Sequence, residues 1–191
     1  MKVIKIGSML IAATVLSVFA SGAAFAENLK IGVIGPLTGP GAPWGTASKV
    51  AAEIIADEVN ADGGLDVGGT KYKIEIIAYD DQYKAAEAVA AYNRLINEDE
   101  VKYVMIVTSA STMAVKQNVE DDQVVAITSA FAPDAIDENT KYMVRIYSVT
   151  GDYLPAYVKW MKENLPERRV VHLNPNDETG WGQQKVADPV F

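Results

Sequence analysis

The sequence predicts an α/β fold in which a parallel sheet is flanked by helices. Apolar runs of strand length recur at residues 31–34, 72–79, 103–107 and 124–127. Between them, apolar residues fall at three- and four-residue spacing, which is the helical period. The connections are short throughout, and strands joined through helices pair in parallel with right-handed crossovers.

Taken in order, the first run (Ile31, Gly32, Val33, Ile34) stops at Gly35-Pro36, and a loop of Gly, Pro and Thr follows. A helical pattern begins near Gly45. Val50, Ile54 and Val59, with Ala51 and Ile55 between them, make 48–60 an amphipathic helix that ends at Asp62-Gly63-Gly64. Residues 66–70 are turn chemistry, and 72–79, rich in Ile and aromatic residues, form the second strand. Asp80-Asp81 closes it. The helix over 84–97 places Ala85, Ala88, Val89, Tyr92, Leu95 and Ile96 on one face. The run 103–107 (YVMIV) is apolar without interruption, as expected of a central parallel strand covered on both faces. Ser109-Ala110-Ser111-Thr112 leads into a weaker helix through Ala114, Val115 and Val119, and 124–127 is the next strand. A further strand is expected over 142–147, a polar break over 148–152, and a helix over 153–165 with Pro155 in its first turn. Residues 170–173 are strand-like and 174–182 form a loop.

Residues 1–26 read as a secretory signal peptide. Lys2 and Lys5 supply the positive start, 9–19 the apolar stretch, and Ala24-Phe25-Ala26 the small-residue cleavage pattern. Cleavage before Glu27 removes two lysines and no acid, taking the formal charge from −8 to −10. So acidic a product is a poor partner for nucleic acid or an anionic membrane. The chain has no cysteine, so disulfides, thiol catalysis and a lipidated N-terminal cysteine are excluded. With no membrane anchor left after cleavage, the exported product is expected to diffuse freely.

Three strand-to-helix loops, 36–45, 108–112 and 128–132, are built from small and hydroxyl residues, and in a parallel sheet all three open on one edge. Ser109, Ser111 or Thr112 is expected to cap the third helix, whose free N–H groups suit a ligand carboxylate as well as they suit ordinary capping. Trp44 and Phe131 are large aromatics in these loops, suited either to walling a ligand or to packing on a helix. Asp80-Asp81 has two readings, a Mg²⁺ pair and, more strongly, a helix N-cap favoured by the helix dipole. His172 is the sole histidine. Without cysteine or further histidine it does not make a zinc site, so no metal and no cofactor is expected. No G-x-S-x-G, G-x-G-x-x-G or G-x-x-x-x-G-K-[ST] occurs. Nothing in the sequence points to catalysis.

These segments, KIGVIGPLTGPGAPWG, Asn60-Ala61-Asp62-Gly63-Gly64, IAYDD, KYVMIVTSAST, TSAFAP and ETGWG, resemble in order and spacing the periplasmic branched-chain amino-acid (leucine/isoleucine/valine) binding proteins. These are the type I solute-binding proteins of ABC importers, and the resemblance spans residues 29–186. It implies a type I periplasmic-binding-protein fold. A first α/β lobe over 27–147 and a hinge crossover at 148–151 would lead into a second lobe, begun at 152–191 and incomplete. By the resemblance, Ser109 binds a ligand carboxylate, with Ala110 and Ser111 beside it, and the Ala130 carbonyl takes an amino group. Trp44 covers the ligand from the first lobe, and Trp181 faces it from the second. The chain departs from the pattern where Phe131-Ala132-Pro133 replaces a threonine that holds both ends of an amino acid, so the expected ligand is a small amino-acid-like molecule or a carboxylate or amide, with a bulkier or aromatic one among the alternatives. The tyrosine and glutamate expected later in the second lobe lie beyond Phe191. The implied role is non-enzymatic: capture of a small-molecule ligand in the periplasm and delivery to an ABC permease in the inner membrane. A ligand-sensing receptor module of the same fold and an exported α/β hydrolase are the rival readings.

Overall fold

The computed structural model describes residues 28–165 and 169–190, and the expected signal peptide lies outside them. Its strands are β1 (Leu29–Gly35), β2 (Leu65–Val67), β3 (Thr70–Tyr72), β4 (Ile74–Asp80), β5 (Tyr103–Ile106), β6 (Val125–Thr128) and β7 (Met143–Arg145). Its helices are α1 (Ala42–Ala61), α2 (Ala85–Asn97), α3 (Ser109–Asp122), α4 (Thr150–Asn164) and α5 (Glu178–Ala187), with a short 3₁₀ turn at Pro133–Ala135.

Five strands make one sheet in the order β4-β1-β5-β6-β7, and every pairing is parallel. The chain steps from β1 outward to β4, then returns past β1 to β5. Because crossovers are right-handed, that reversal sends α1 to one face and α2 and α3 to the other, leaving a crevice between β1 and β5 at their carboxyl ends.

The core lies between the sheet and the α2–α3 layer. Ile34, Tyr92, Leu95, Val101, Ile106, Val115, Val119 and Val124 are fully buried there, each contributing on the order of 1.5–3 kcal/mol by leaving water. Gly32 belongs to the same packing, since a Cβ there would lie 2.7 Å from Leu95 Cδ1. The absent side chain is what lets α2 seat on β1. The Tyr92 hydroxyl escapes the apolar layer by donating to Asp122 at 3.1 Å, joining α2 to α3.

Several expectations are corrected. Helix α1 begins at Ala42, six residues before the expected 48, because Pro43 stands in its first turn, where its fixed φ suits a helix and its missing N–H costs nothing. The turn at 66–70 is the tip of an antiparallel hairpin, β2–β3, with Gly68 and Gly69 at φ 61° and 88° and Asp66 accepting from the Gly69 N–H at 2.9 Å. Helix α4 starts at Thr150 with Asp152 accepting from the Val149 N–H at 2.8 Å, so Pro155 is interior and the polar break is shorter than 148–152. Residues 170–173 form no strand. Among the described residues none pairs with them as a strand, and Val171 and Leu173 are almost wholly exposed. The last correction concerns 103–107. Helix α1 packs chiefly on β1 and β4, so among the described residues Tyr103, Val125, Ile127 and Val144 form an uncovered apolar sheet face.

Candidate functional site

The loops after β1, β5 and β6 do open on one edge. Gly45 and Gly35 set the path of the first: a Cβ on Gly45 would lie 2.0 Å from the Pro36 carbonyl oxygen, and one on Gly35 2.8 Å from Val107 Cγ2. The β1 loop is therefore folded flat against the start of α1 and against β5. Asp80 holds it from β4, accepting from the Leu37 N–H at 2.7 Å, the Thr38 hydroxyl and the Gln82 N–H at 2.9 Å. Burial raises the Asp80 pKa, but these donors together outweigh it and hold the carboxyl below the usual range.

Asp81 points the other way, into the protein. It has no exposed surface, and it accepts from the Ser111 hydroxyl and from the Tyr83 N–H at 2.8 Å. Burial pushes its carboxyl up, with Asp80 adding to the effect and the Ser111 and Tyr83 donors opposing it. The aspartate pair is thus a clamp between loops. The N-cap of α2 is Lys84, which makes no side-chain cap bond, so the capping reading of Asp80-Asp81 is corrected.

At α3 the cap is Thr108, not Ser109, Ser111 or Thr112. Its Oγ1 accepts from the Ser111 N–H at 3.2 Å and lies 2.7 Å from Ser111 Oγ. That frees Ser109 for another task. Ser109 Oγ accepts from the Phe131 and Ala132 N–H groups at 3.0 and 3.1 Å, tying the β6 loop to α3. Beneath it Thr112 Oγ1 donates to the Thr108 carbonyl at 2.7 Å and meets Thr128 Oγ1 at 2.6 Å. Thr128 Oγ1 also accepts from the Ala130 N–H at 3.0 Å.

Over these loops lies a cavity of about 430 Å³. Trp44, Ser109 and Phe131 line it, joined by Tyr83, Tyr147 and Tyr153. The Phe131 and Tyr147 rings stack at 5.6 Å. The far wall is Pro175, Thr179 and Gln183, beside and within α5. Among the described residues no lining side chain carries a charge. Ala110, Ser111 and Ala130 are buried behind the lining: Ser111 faces Asp81, and Ala130 packs with Ala132 and Ala135. Trp181 lines a separate depression with Asn176, to whose Oδ1 its indole N–H donates at 3.0 Å.

Sequence reasoning missed Tyr83, Tyr147, Tyr153 and Thr179. Tyr83 had a usable signal, an aromatic directly after a strand-ending acidic pair. Thr179 had one too, a hydroxyl at the start of a helix. Asp177 caps α5 by accepting from the Gly180 N–H at 3.0 Å. A Cβ on Gly180 would lie 1.7 Å from the Pro175 carbonyl oxygen, so this turn tolerates no side chain. It delivers the Thr179 hydroxyl to Ser109 Oγ at 2.7 Å.

A parallel sheet whose loops converge on an uncharged, aromatic-walled cleft at its topological switch point is the geometry of small-molecule capture. The family model for periplasmic binding proteins matches residues 28–189. The chain belongs to the periplasmic binding protein family. The Leu/Ile/Val-binding protein of Escherichia coli (strain K12) is 30% identical over 183 residues, 95% of this chain and 48% of that one. A leucine-, isoleucine-, valine-, threonine- and alanine-binding protein of Pseudomonas aeruginosa is 32% identical, over 92% of this chain and 46% of its own. Among solved structures, a branched-chain amino acid substrate-binding protein of Streptococcus pneumoniae, in complex with isoleucine, has a TM-score of 0.71 at 26% identity, over 86% of this chain and 47% of that one. A fatty acid ABC transporter substrate-binding protein from Thermomonospora curvata reaches 0.75 at 24% identity, over 88% and 42%. The chain thus spans about half the length of the periplasmic binding proteins it matches, and these relatives are named for what they bind rather than for a reaction.

Proposed function

We propose that this protein is the periplasmic solute-binding component of an ABC importer, taking a small aromatic carboxylic acid or its amide and presenting it to a permease in the inner membrane. One observation carries the ligand class: the cavity combines five aromatic residues (Trp44, Tyr83, Phe131, Tyr147, Tyr153) with the hydroxyls of Thr108, Ser109 and Ser129 and no charged side chain. Such a lining suits a planar apolar body with one hydrogen-bonding head.

In this reading Ser109 is the anchor. Its Oγ accepts two backbone N–H groups, which fixes its position and leaves its own proton for the ligand's head. Thr179 gives up its bond to Ser109 as the ligand enters. The rings then sandwich the ligand body, and contacts from both walls exist together only when the cleft is closed, so ligand selects the closed form.

Thermal denaturation of the purified protein with benzoate, 4-hydroxybenzoate, benzamide, leucine and isoleucine tests this. The expected result is a saturable rise in Tm with at least one aromatic compound, lost in Ser109→Ala. A rise with leucine or isoleucine and none with the aromatic compounds would overturn the ligand class.

A further inference from the structure

Tyr83 belongs to none of the motifs that point to the cleft, yet its backbone is held in an uncommon conformation. Gln82 and Tyr83 both adopt left-handed φ, 50° and 61°, where side-chain-bearing residues seldom lie. Each N–H is tied to a carboxylate, Gln82 to Asp80 Oδ1 at 2.9 Å and Tyr83 to Asp81 Oδ1 at 2.8 Å. Gly41 leaves room for the ring: a Cβ there would lie 2.9 Å from Tyr83 Cδ2. Held in this way, the Tyr83 hydroxyl crosses the cleft and donates to Asp177 Oδ2 at 2.8 Å, 94 residues along the chain. The other oxygen of the same carboxylate caps α5 through Gly180. One aspartate therefore starts α5 and receives a bond from the opposite wall.

We infer that Tyr83 is a latch: its bond to Asp177 draws α5 against the sheet edge in the ligand-free protein and biases the cleft toward its closed arrangement. Among the described residues two hydrogen bonds cross the cleft here, and they differ in kind. The Thr179–Ser109 bond lies within the cavity lining, where a ligand competes for it. The Tyr83 ring lines the cavity but its acceptor Asp177 is outside that lining, so a ligand packed on the ring does not compete directly for the Tyr83 bond. A single partly exposed hydrogen bond to a carboxylate is suited to this: it shifts an open-to-closed ratio by roughly fivefold without locking it. The inference takes the cavity to be the ligand site proposed above, but its first test needs no ligand.

The chain has no cysteine, so spin labels can be placed on E87C of α2 and K159C of α4 without background. Pulsed dipolar distance measurements on ligand-free protein then compare the parent with Tyr83→Phe, which keeps the ring, and Asp177→Ser. The serine keeps the helix cap but is too short to reach Tyr83. The expected result is a roughly fivefold gain in the longer-distance population in either variant, and no further gain when they are combined. A distance distribution unchanged by Tyr83→Phe overturns the latch, as do gains from the two substitutions that multiply rather than saturate. Adding 4-hydroxybenzoate to the same samples separates the two readings: if the variants open the cleft while no compound moves the populations, the latch stands and the ligand class falls.

Discussion

Ser111→Ala is the most informative single change outside the cavity lining. In the folded protein Asp81 is fully buried and has two donors, the Ser111 hydroxyl and the Tyr83 N–H. Alanine removes the first without adding bulk, so the loss is that of a hydrogen bond to a buried charged group, about 1.5–3 kcal/mol. For a chain of this size that is a fall in Tm of roughly 3–12 °C. The loss also depends on pH, and its sign follows from the direction of the Asp81 shift. Burial holds the folded-state pKa above the unfolded value. The stability this group contributes is therefore complete below its unfolded pKa and is lost as pH rises through the folded pKa. Removing a donor to the charged form raises the folded pKa further, so the penalty of Ser111→Ala is small in acid, where Asp81 is protonated, and grows toward neutrality. Urea denaturation from pH 4 to pH 7 measures it. Far-UV circular dichroism is the suitable probe, because Trp44, Trp160 and Trp181 are all more than half exposed and report poorly on the core. A penalty that is equal at both ends of the range, or that is larger in acid, refutes the assignment of Asp81 as a buried carboxylate clamped by Ser111.

Other consequences are measurable in the same way. Ile106→Ala, on the covered face, should cost about 2–5 kcal/mol, whereas Ile127→Ala on the neighbouring strand should cost under about 1 kcal/mol, because Ile106 is fully buried and Ile127 is 44% exposed; similar losses would contradict the uncovered face. That face should also bind a hydrophobic dye in the native state, and quenching of the dye signal by Ile127→Lys with Val144→Lys would locate it. Gly180→Ala would drive a Cβ into the Pro175 carbonyl, so amide hydrogen exchange should rise at the start of α5 while the α2–α3 core keeps its protection. Ser109→Ala leaves the Phe131 and Ala132 N–H groups without their acceptor, and should cost about 1–3 kcal/mol of stability in addition to abolishing aromatic acid binding.

The parallel sheet was legible because its strands are apolar runs and its helices are periodic over several turns, as at Ala88, Tyr92 and Leu95. The loops that build the cleft were legible as places, since small and hydroxyl residues cluster in them. Their wiring was not. Thr108 takes the cap and Ser109 the neighbouring loop, and which hydroxyl does which depends on backbone angles that composition does not encode. The same holds for Asp80 and Asp81: adjacent carboxylates at a strand end face opposite ways, one toward the β1 loop and one toward α3. The uncovered face was illegible for a further reason. Residues 103–107 read as doubly covered because both of their faces are apolar, but apolar side chains state what a face would accept, not whether anything packs there.

The two walls of the cleft differ in how they are held, and that difference bears on how it works. The sheet-side loops are joined to one another by buried bonds, Asp81 to Ser111, Thr112 to Thr128, and Ser109 to the Phe131 and Ala132 N–H groups. Helices α4 and α5 share a separate small core of Leu154, Val158 and Ala187. Among the described residues they meet the sheet side through Tyr83–Asp177 and Lys185–Asp134 at the rim and Thr179–Ser109 within the cavity lining, together with Pro133 packed against Gly182. A wall held by buried bonds keeps its shape when solvent enters, since its donors and acceptors are already paired. A wall held at its rim by exposed or partly exposed bonds can exchange them for water at little cost, because such bonds contribute only about 0.5–1.5 kcal/mol net. With the cavity as the ligand site proposed above, the sheet side serves as a preformed half-site and the α4–α5 side as the part that opens. Under the proposed function, selectivity by shape falls to Trp44, Phe131 and Tyr147, and with the proposed latch the energy of closure falls to Tyr83, Asp177 and Thr179.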